Sequence, residues 1–317
     1  MDKKTKQCSD NPETTDMGNA FFELGKQLHK TWTDMDRVFP KWPKSPACIP
    51  TGCHSLDRIM GGLRPSELVV LGGRPRVGKT ALALNIMECV ASGKAMDRTP
   101  FYRDHARKHP VAIFSCDMSG TSLAQRMIGS LAGIPAYKIE TGFPLSPAEK
   151  KQLVKAAKYL QGLPVFIEES NNITEIFCRV EVLKNLHGVE CVILDNIQHL
   201  RYHLLARRGW ARELNAIAIF LKSMTLELDI PVLALSQLAC PRDISSKPTL
   251  ADFRDSEAIE RKADTILLLG RHCTTPVEAE CLDTHLAVVD VAKNGNGSLG
   301  EVELTFDEEV IRFSDRF

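Results

Sequence analysis

Net charge, long apolar runs and paired cysteine motifs are what this sequence of 317 residues lacks. Its 40 lysines and arginines are balanced by 40 aspartates and glutamates, so no overall field draws it to nucleic acid or a membrane, and such binding needs a local patch. No stretch approaches the roughly 18 apolar residues of a membrane span. The polar residues 1–6 are followed by no apolar signal core, which argues against a secretory leader.

Ten cysteines are present, but none is spaced as C-x-x-C, the pattern typical of zinc and redox sites. Cys89, Cys116 and Cys191 lie in apolar stretches, where a thiol behaves as a small hydrophobic side chain. We therefore expect a reducing, cytoplasmic location. With 44% hydrophobic and 25% charged residues, the composition suits one large α/β domain with an appendage, or two small domains.

The strongest signal is a match to G-x-x-x-x-G-K-[ST], the phosphate-binding loop. The matching residues are Gly73, Arg74, Pro75, Arg76, Val77, Gly78, Lys79 and Thr80. An apolar run at 67–71 predicts a buried strand before this phosphate loop, and helix formers at 80–87 predict a helix after it. Backbone N–H groups and a helix dipole would then face a nucleotide, with Lys79 on the β- and γ-phosphates and Thr80 on Mg²⁺. The plainer alternative is an ordinary glycine turn.

Strands and helices alternate along the rest of the chain. Apolar runs predict strands at 111–115, 165–167, 189–195, 231–237, 263–269 and 285–291, with helices at 119–131, 146–160, 173–186 and 210–228. The alternation at 300–306 and 310–313 predicts an antiparallel hairpin. The expected fold class is α/β, with a mainly parallel twisted sheet, helices on both faces and antiparallel strands at the C-terminal end.

Three polar residues end predicted strands, at the edge where ligands bind to parallel sheets. Asp195 follows an apolar run and is the natural second acid for Mg²⁺, as in a Walker B strand, although it could also cap the next helix. Asp117 is the candidate general base that holds the attacking water. Gln237 is the candidate sensor of the γ-phosphate. Their joint placement with the phosphate loop, rather than any one of them, indicates a nucleotide site.

The N-terminal region has a different character. Residues 1–16 are polar, which predicts disorder. Within 17–46, one helical face carries Phe21, Leu24, Leu28, Trp32, Met35 and Phe39, and a proline-rich connector follows. A helix separated in this way more often docks elsewhere than folds back, and its face could pack on its own core or on a neighbouring subunit.

A second polar segment, residues 93–110, carries the main local cluster of basic side chains. These are Lys94, Arg98, Arg103, Arg107 and Lys108. We interpret the segment as a solvated excursion, with contact to nucleic acid as the less favoured alternative.

The order of motifs from about residue 47 to 317 resembles the ATPase domain of DnaB-type replicative helicases. Besides the phosphate loop, the resemblance rests on Thr51-Gly52, Leu56-Asp57, Gly61-Gly62-Leu63, Ser115–Met118, Leu194–Gln198, Ala234–Leu238, Asp252–Glu260 and Lys293–Gly297. It implies a RecA-like fold, a hexameric ring, ATP sites between subunits and single-stranded DNA in the centre. The helix at 19–39 takes the place of the family's linker helix, and the family's N-terminal collar domain is not found in this sequence.

The resemblance also assigns roles to residues. Lys79 and Thr80 would bind phosphate and Mg²⁺, Asp195 would be the Walker B acid and Gln237 the γ-phosphate sensor. The DNA-binding segment corresponds to Arg254, Asp255 and Glu257, and Lys293 falls in the segment that reaches the neighbour's ATP.

Three positions depart from the family pattern. Asp117 stands where the family has its catalytic glutamate, one methylene shorter. Glu257 stands where a glycine N–H would meet DNA phosphate. Gly295 stands where the family has the arginine that reaches into the next subunit.

The leading hypothesis is a truncated helicase subunit that uses ATP and Mg²⁺ on single-stranded DNA, as a homo-hexamer or mixed with a full-length helicase. The alternative is a diverged, weakly active or inactive ATP-binding subunit that regulates or assembles with a complete helicase. A third hypothesis, a recombination or clock-type ATPase on the same fold, is disfavoured by the segment Asp252–Glu260.

Overall fold

The computed structural model describes residues 48–96, 107–202, 209–239, 247–253, 257–271 and 285–316. Several expectations lie outside these residues. They are the disorder of 1–16, the helix and connector of 17–46, most of the polar segment 93–110, and the roles of Arg254 and Asp255 in binding DNA.

Nine strands of the described residues form one sheet, in the order β3-β2-β4-β5-β1-β6-β7-β8-β9. The strands are β1 (Leu68–Gly73), β2 (Val111–Ser115), β3 (Val165–Glu169), β4 (Cys191–Asp195), β5 (Val232–Gln237), β6 (Thr265–Arg271), β7 (Leu286–Asn294), β8 (Gly300–Asp307) and β9 (Arg312–Asp315). Strands β1 to β6 pair in parallel, and β7, β8 and β9 are added antiparallel. The predicted fold class is confirmed.

The described helices pack on both faces of the sheet. They are α1 (His54–Met60), α2 (Lys79–Ser92), α3 (Gly120–Ala132), α4 (Ala136–Glu140), α5 (Pro147–Gln161), α6 (Ile173–His187), α7 (Trp210–Leu228) and α8 (Glu257–Lys262). Buried side chains of α1, α2 and α3 form one apolar layer, and those of α6, α7 and α8 form the other. No described helix has both the length and the apolar character that crossing a membrane requires.

Local sequence explains most of these boundaries. Helix α5 begins with a capping box, in which the Ser146 hydroxyl accepts from the Glu149 N–H at 3.2 Å and the Glu149 carboxylate accepts from the Ser146 N–H at 2.8 Å. Helix α7 buries Leu214, Ile217 and Leu221, at the three- and four-residue spacing that predicted it. The sequence analysis missed α1, α4 and α8, which have 7, 5 and 6 residues and are too short for periodicity to show.

Strand register decides which candidate residues share an edge of the sheet. Gly73 pairs with Gln237 and Ser115 pairs with Asp195, so the phosphate loop, Gln237, Asp195 and the turn after Ser115 all lie at the carboxyl edge. Lys293 pairs with Ile266, near the amino end of β6, which runs parallel to β1. Lys293 and the phosphate loop therefore lie toward opposite edges of the sheet.

Candidate nucleotide-binding site

The phosphate loop connects β1 to α2, as its sequence predicted. Gly78 has a φ of 99°, a left-handed conformation that glycine adopts without strain, and it caps the N-terminus of α2. The Lys79 ammonium donates to the backbone carbonyls of Gly73 at 2.8 Å and Arg74 at 2.9 Å, so it lies curled over the loop. The loop thus brings a cation and the amino end of a 14-residue helix to one place.

Thr80 and Asp195 form the second part of the site. The Thr80 hydroxyl donates to Asp195 Oδ2 at 2.7 Å, which joins the first turn of α2 to the end of β4. Burial raises the pKa of the Asp195 carboxyl, while the hydrogen bond from Thr80 and the charge of Lys79 oppose that rise. A hydroxyl and a desolvated carboxylate in contact are hard oxygen ligands of the kind that Mg²⁺ takes. The residues present therefore fit a Mg²⁺–nucleotide complex.

Burial lowers the pKa of the Lys79 ammonium to about 8, and the charge of Asp195 partly opposes this shift. Phosphate oxygens favour the charged form, so nucleotide binding above pH 8 should take up a proton. We expect affinity for Mg²⁺–ATP to be flat from pH 7 to 8 and then to fall by up to about tenfold per pH unit. Calorimetry in buffers of different ionisation enthalpy measures the uptake.

Lys79→Arg is the matched control for this pH dependence, because a guanidinium stays protonated throughout the range. The variant should keep the same affinity at pH 7.5 and 9. Equal slopes for wild type and Lys79→Arg would assign the titration to another group.

Asp117 lies on the turn after β2, at the same edge but open to solvent. Its side chain is 68% exposed, and its Oδ2 lies 3.9 Å from Nδ1 of His199. The turn is fixed by the backbone N–H of Cys116, which donates to the Asp195 carbonyl at 2.8 Å, and by the Ser115 hydroxyl, which accepts from the Met118 N–H at 3.0 Å. Asp117 also lines a cavity of about 450 Å³. It is placed at the site edge with room for a ligand beside it.

Gln237 ends β5 at the expected position. Its backbone is held by Gln198, to which the sequence analysis assigned no role. Gln198 accepts from the Gln237 N–H at 2.9 Å and donates to the Gln237 carbonyl at 3.0 Å and to the Ser236 hydroxyl at 2.9 Å. Gln198 belongs to the 3₁₀ turn Ile197–His199 that follows Asp195. The amide thus ties the turn after β4 to the end of β5. Two polar residues shortly after Asp195 were the signal available in the sequence.

The segment before the candidate DNA-binding residues packs directly on the phosphate loop. A guanidinium nitrogen of Arg74 lies 3.9 Å from Asp252 Oδ2, and both side chains are largely buried. The ring of buried Phe253 approaches Gly72 so closely that a Cβ there would lie 2.9 Å from the Phe253 Cζ atom. Asp252 and Phe253 therefore pack against the phosphate loop and the end of the strand that precedes it.

The remaining candidates lie away from the loop. Glu257 begins α8 and is exposed. Lys293 donates to the carbonyl of Glu260 at 2.7 Å, so it is held at the far end of α8. The turn after it is anchored by Asn296, which donates to Glu67 at 2.5 Å and accepts at its carbonyl from Arg64 at 3.1 Å. The structure therefore brings together the phosphate loop, Asp117, Asp195 and Gln237, and leaves Glu257 and Lys293 outside that group.

The three cysteines predicted to lie in apolar stretches, Cys89, Cys116 and Cys191, are buried or partly buried. Cys89 and Cys191 are buried, and burial raises the pKa of the Cys116 and Cys191 thiols to about 12. Among the described residues, no group of three or more His, Cys, Asp and Glu side chains could hold a metal ion on its own.

Motifs outside the nucleotide site have structural roles. The Asp57 carboxylate accepts from the Thr51 N–H at 2.9 Å, the Thr51 hydroxyl at 2.8 Å and the Gly52 N–H at 3.2 Å. These bonds fold the chain onto the N-terminal half of α1 just before β1.

Comparison with solved structures finds the same fold in two of them. A solved ATPase domain superimposes with a TM-score of 0.78 at 24% identity, covering 93% of this chain and 99% of its own. A DnaB-like replicative helicase, solved in a study of its interactions with primase, gives a TM-score of 0.75 at 24% identity, covering 89% of this chain and 66% of that one. At these identities the likeness shows the fold alone.

Sequence comparison identifies the family. The replicative DNA helicase DnaB of Geobacillus stearothermophilus is 31% identical over 269 residues, and the DnaB of Rickettsia typhi is 31% identical over 320 residues. These matches cover 84% and 95% of this chain but only 56% and 62% of the relatives, so the chain spans little more than half of their length. The model of the DnaB-like helicase C-terminal domain matches residues 48–315. The chain therefore belongs to the DnaB-like helicase C-terminal domain family.

Proposed function

We propose that this chain is the ATPase subunit of a DnaB-type DNA helicase acting in replication. In this proposal it binds and hydrolyses Mg²⁺–ATP between subunits of a homo-hexameric ring and translocates on single-stranded DNA in the cytoplasm. One observation carries the proposal: Thr80 and Asp195 form a 2.7 Å hydrogen bond beside Lys79, within a domain of this family. That trio combines a phosphate cation with two magnesium ligands.

Each residue has a distinct task in hydrolysis. When bound, Mg²⁺ supplies positive charge to the β- and γ-phosphates, and Thr80 and Asp195 would hold it there. Lys79 leaves the carbonyls of Gly73 and Arg74 and binds phosphate oxygens instead. Asp117, whose side chain is exposed to solvent, accepts the proton of the attacking water. Gln237, clamped by Gln198, contacts the transferred phosphoryl group.

The location of Lys293 supports a site shared between subunits. Lys293 lies toward the edge opposite its own phosphate loop and is held on α8 by the Glu260 carbonyl. It therefore acts on a neighbour's nucleotide, in a head-to-tail arrangement of subunits.

The test is steady-state ATP hydrolysis by the purified chain with and without single-stranded DNA. We expect Mg²⁺-dependent turnover that single-stranded DNA stimulates, and its loss by about a hundredfold in Asp117→Asn, which removes the base. Mg²⁺–ATP affinity of Asp117→Asn should stay within about twofold of wild type, because Asp117 acts on water rather than on binding. Binding of ATP with no turnover under any condition would favour the regulatory subunit instead.

A substitution at Glu257 tests binding to single-stranded DNA. Glu257 is exposed and begins α8, which follows Arg254 and Asp255 in the sequence. Phosphate contacts supply most sequence-independent affinity, so a carboxylate among them weakens binding. Glu257→Gln should tighten binding to single-stranded DNA, with the larger gain at low salt. Glu303→Gln, which neutralises an exposed acid on β8, is the matched control. Equal affinities for Glu257→Gln and wild type at every salt concentration would remove Glu257 from the DNA path.

The regulatory alternative is kept because of a specific observation. The turn that follows Lys293 carries Gly295 where the family has an arginine, and among the described residues of that turn, 294–299, no other cation is present. A subunit of this kind would need a neighbour that supplies the arginine, such as a full-length helicase in a mixed ring.

A further inference from the structure

His199 lies beside Asp117 with one ring nitrogen that has no hydrogen-bond partner among the described residues. Its Nδ1 atom is shielded from solvent, although the side chain as a whole is 42% exposed, and it lies 3.9 Å from Asp117 Oδ2. A buried nitrogen without a partner is unfavourable by about 1–3 kcal/mol. Asp117 Oδ2 is an acceptor close to this nitrogen, and closing the gap to a normal hydrogen bond takes a movement of only about 1 Å.

Both residues lie on turns whose backbone positions are fixed by the neighbouring strands. His199 ends the 3₁₀ turn Ile197–His199, whose middle residue is held to β5 by two hydrogen bonds that the Gln198 amide donates and one that it accepts. Asp117 follows β2, which pairs with β4 up to Ser115 and Asp195. The two turns leave neighbouring strands at the same edge. The short distance between the two side chains therefore follows from the pairing of the strands and not from the position of a mobile loop.

We propose that His199 is a positioning residue that holds the Asp117 carboxylate toward the attacking water by donating its Nδ1–H to Oδ2. A 68% exposed aspartate on its own samples several rotamers, and a misplacement of about 1 Å in a catalytic group costs about a hundredfold in rate. A donor on a fixed turn selects one of those rotamers. This inference rests on the proposed function, because it gives Asp117 its orientation for hydrolysis.

Three substitutions at His199 separate an Nδ1 contact from general packing. Asparagine carries an amide nitrogen near the position of Nδ1, glutamine carries one near Nε2, and leucine carries neither. Under single-turnover conditions, with enzyme in excess over ATP, His199→Leu and His199→Gln should each slow hydrolysis by about tenfold or more. His199→Asn should come within about threefold of wild type, since it restores the donor. Equilibrium affinity for Mg²⁺–ATP, measured on the same proteins, should stay within about twofold.

A double substitution tests whether the effect passes through Asp117. In the Asp117→Asn background, His199→Leu should slow the residual reaction by less than about twofold, because coupled residues do not contribute additively. Equal single-turnover rates for wild type, His199→Leu and His199→Gln would overturn this inference and leave the proposed function in place. Failure of His199→Asn to recover the rate, or an equal loss in the Asp117→Asn background, would assign His199 a structural role. Wild type that does not bind Mg²⁺–ATP would overturn the proposed function and this inference together.

Discussion

Gly295→Arg should raise the ATP turnover of assembled subunits by about 10³-fold, the lower end of what an arginine finger supplied in trans contributes. A guanidinium offers a planar fork to two phosphoryl oxygens, which the point charge of Lys293 does not. The turn tolerates the change, since a Cβ at Gly295 would meet its nearest neighbour, the Asp264 carbonyl, at the ordinary distance of 3.6 Å. Steady-state hydrolysis at a protein concentration that saturates assembly is the measurement.

Ser298→Arg is the matched control, because it adds the same side chain to another exposed position of the same turn. It should leave turnover near that of wild type. Mixing wild type with a full-length helicase should produce a similar gain, as the partner's arginine completes the site.

Helicase-level turnover by wild type, unaffected by Gly295→Arg, would contradict this expectation. It would direct attention to Arg126, whose charge acts on Asp195 and whose ion pair with Glu140 is loose, at 3.8 Å. Loss of that turnover in Arg126→Lys would then identify a guanidinium supplied within the same subunit.

Lys79→Ala should weaken Mg²⁺–ATP binding by about a hundredfold. The substitution removes a charge-assisted contact to the β- and γ-phosphates, of the class worth about 1.5–3 kcal/mol. It also removes two hydrogen bonds to the carbonyls of Gly73 and Arg74, so the loop loses an internal support. Equilibrium titration with a fluorescent ATP analogue measures the change, and thermal unfolding of the same variant shows whether the loop alone is affected.

Lys150→Ala provides the control for loss of a lysine, because Lys150 is exposed on α5. Its affinity for the analogue should equal that of wild type. An unchanged affinity in Lys79→Ala would show that the loop is an ordinary glycine turn between a strand and a helix.

The parts of this molecule that could be predicted are those whose cause is local. The phosphate loop, the acid at the end of β4 and the caps of α5 are each specified within a few residues, and the sheet follows from alternating apolar runs. Helices α1, α4 and α8 were missed because one or two turns are too short to show the helical period. Boundaries of β1 and β6 moved by one or two residues, since an apolar run does not say where pairing begins.

Contacts between segments that meet at the carboxyl edge of the sheet could not be predicted from the sequence. The clamp of Gln198 on Gln237, the pair of Arg74 with Asp252 and the approach of His199 to Asp117 each join segments separated by tens of residues. Their existence depends on the register of parallel strands and on the path of each turn. Residue type suggests that a glutamine or histidine is able to bond, but only the fold determines with what.

The separation of Lys293 from its own phosphate loop has a consequence for how activity depends on dilution. Each chain would contribute to two reaction sites, one with its loop and one with its turn after β7, and would complete neither alone. Catalytic power would then be a collective quantity, lost by mass action as copies dissociate. In an open row of copies, the phosphate loop of one terminal chain would have no neighbour to complete its site, whereas in a closed ring every phosphate loop would have one.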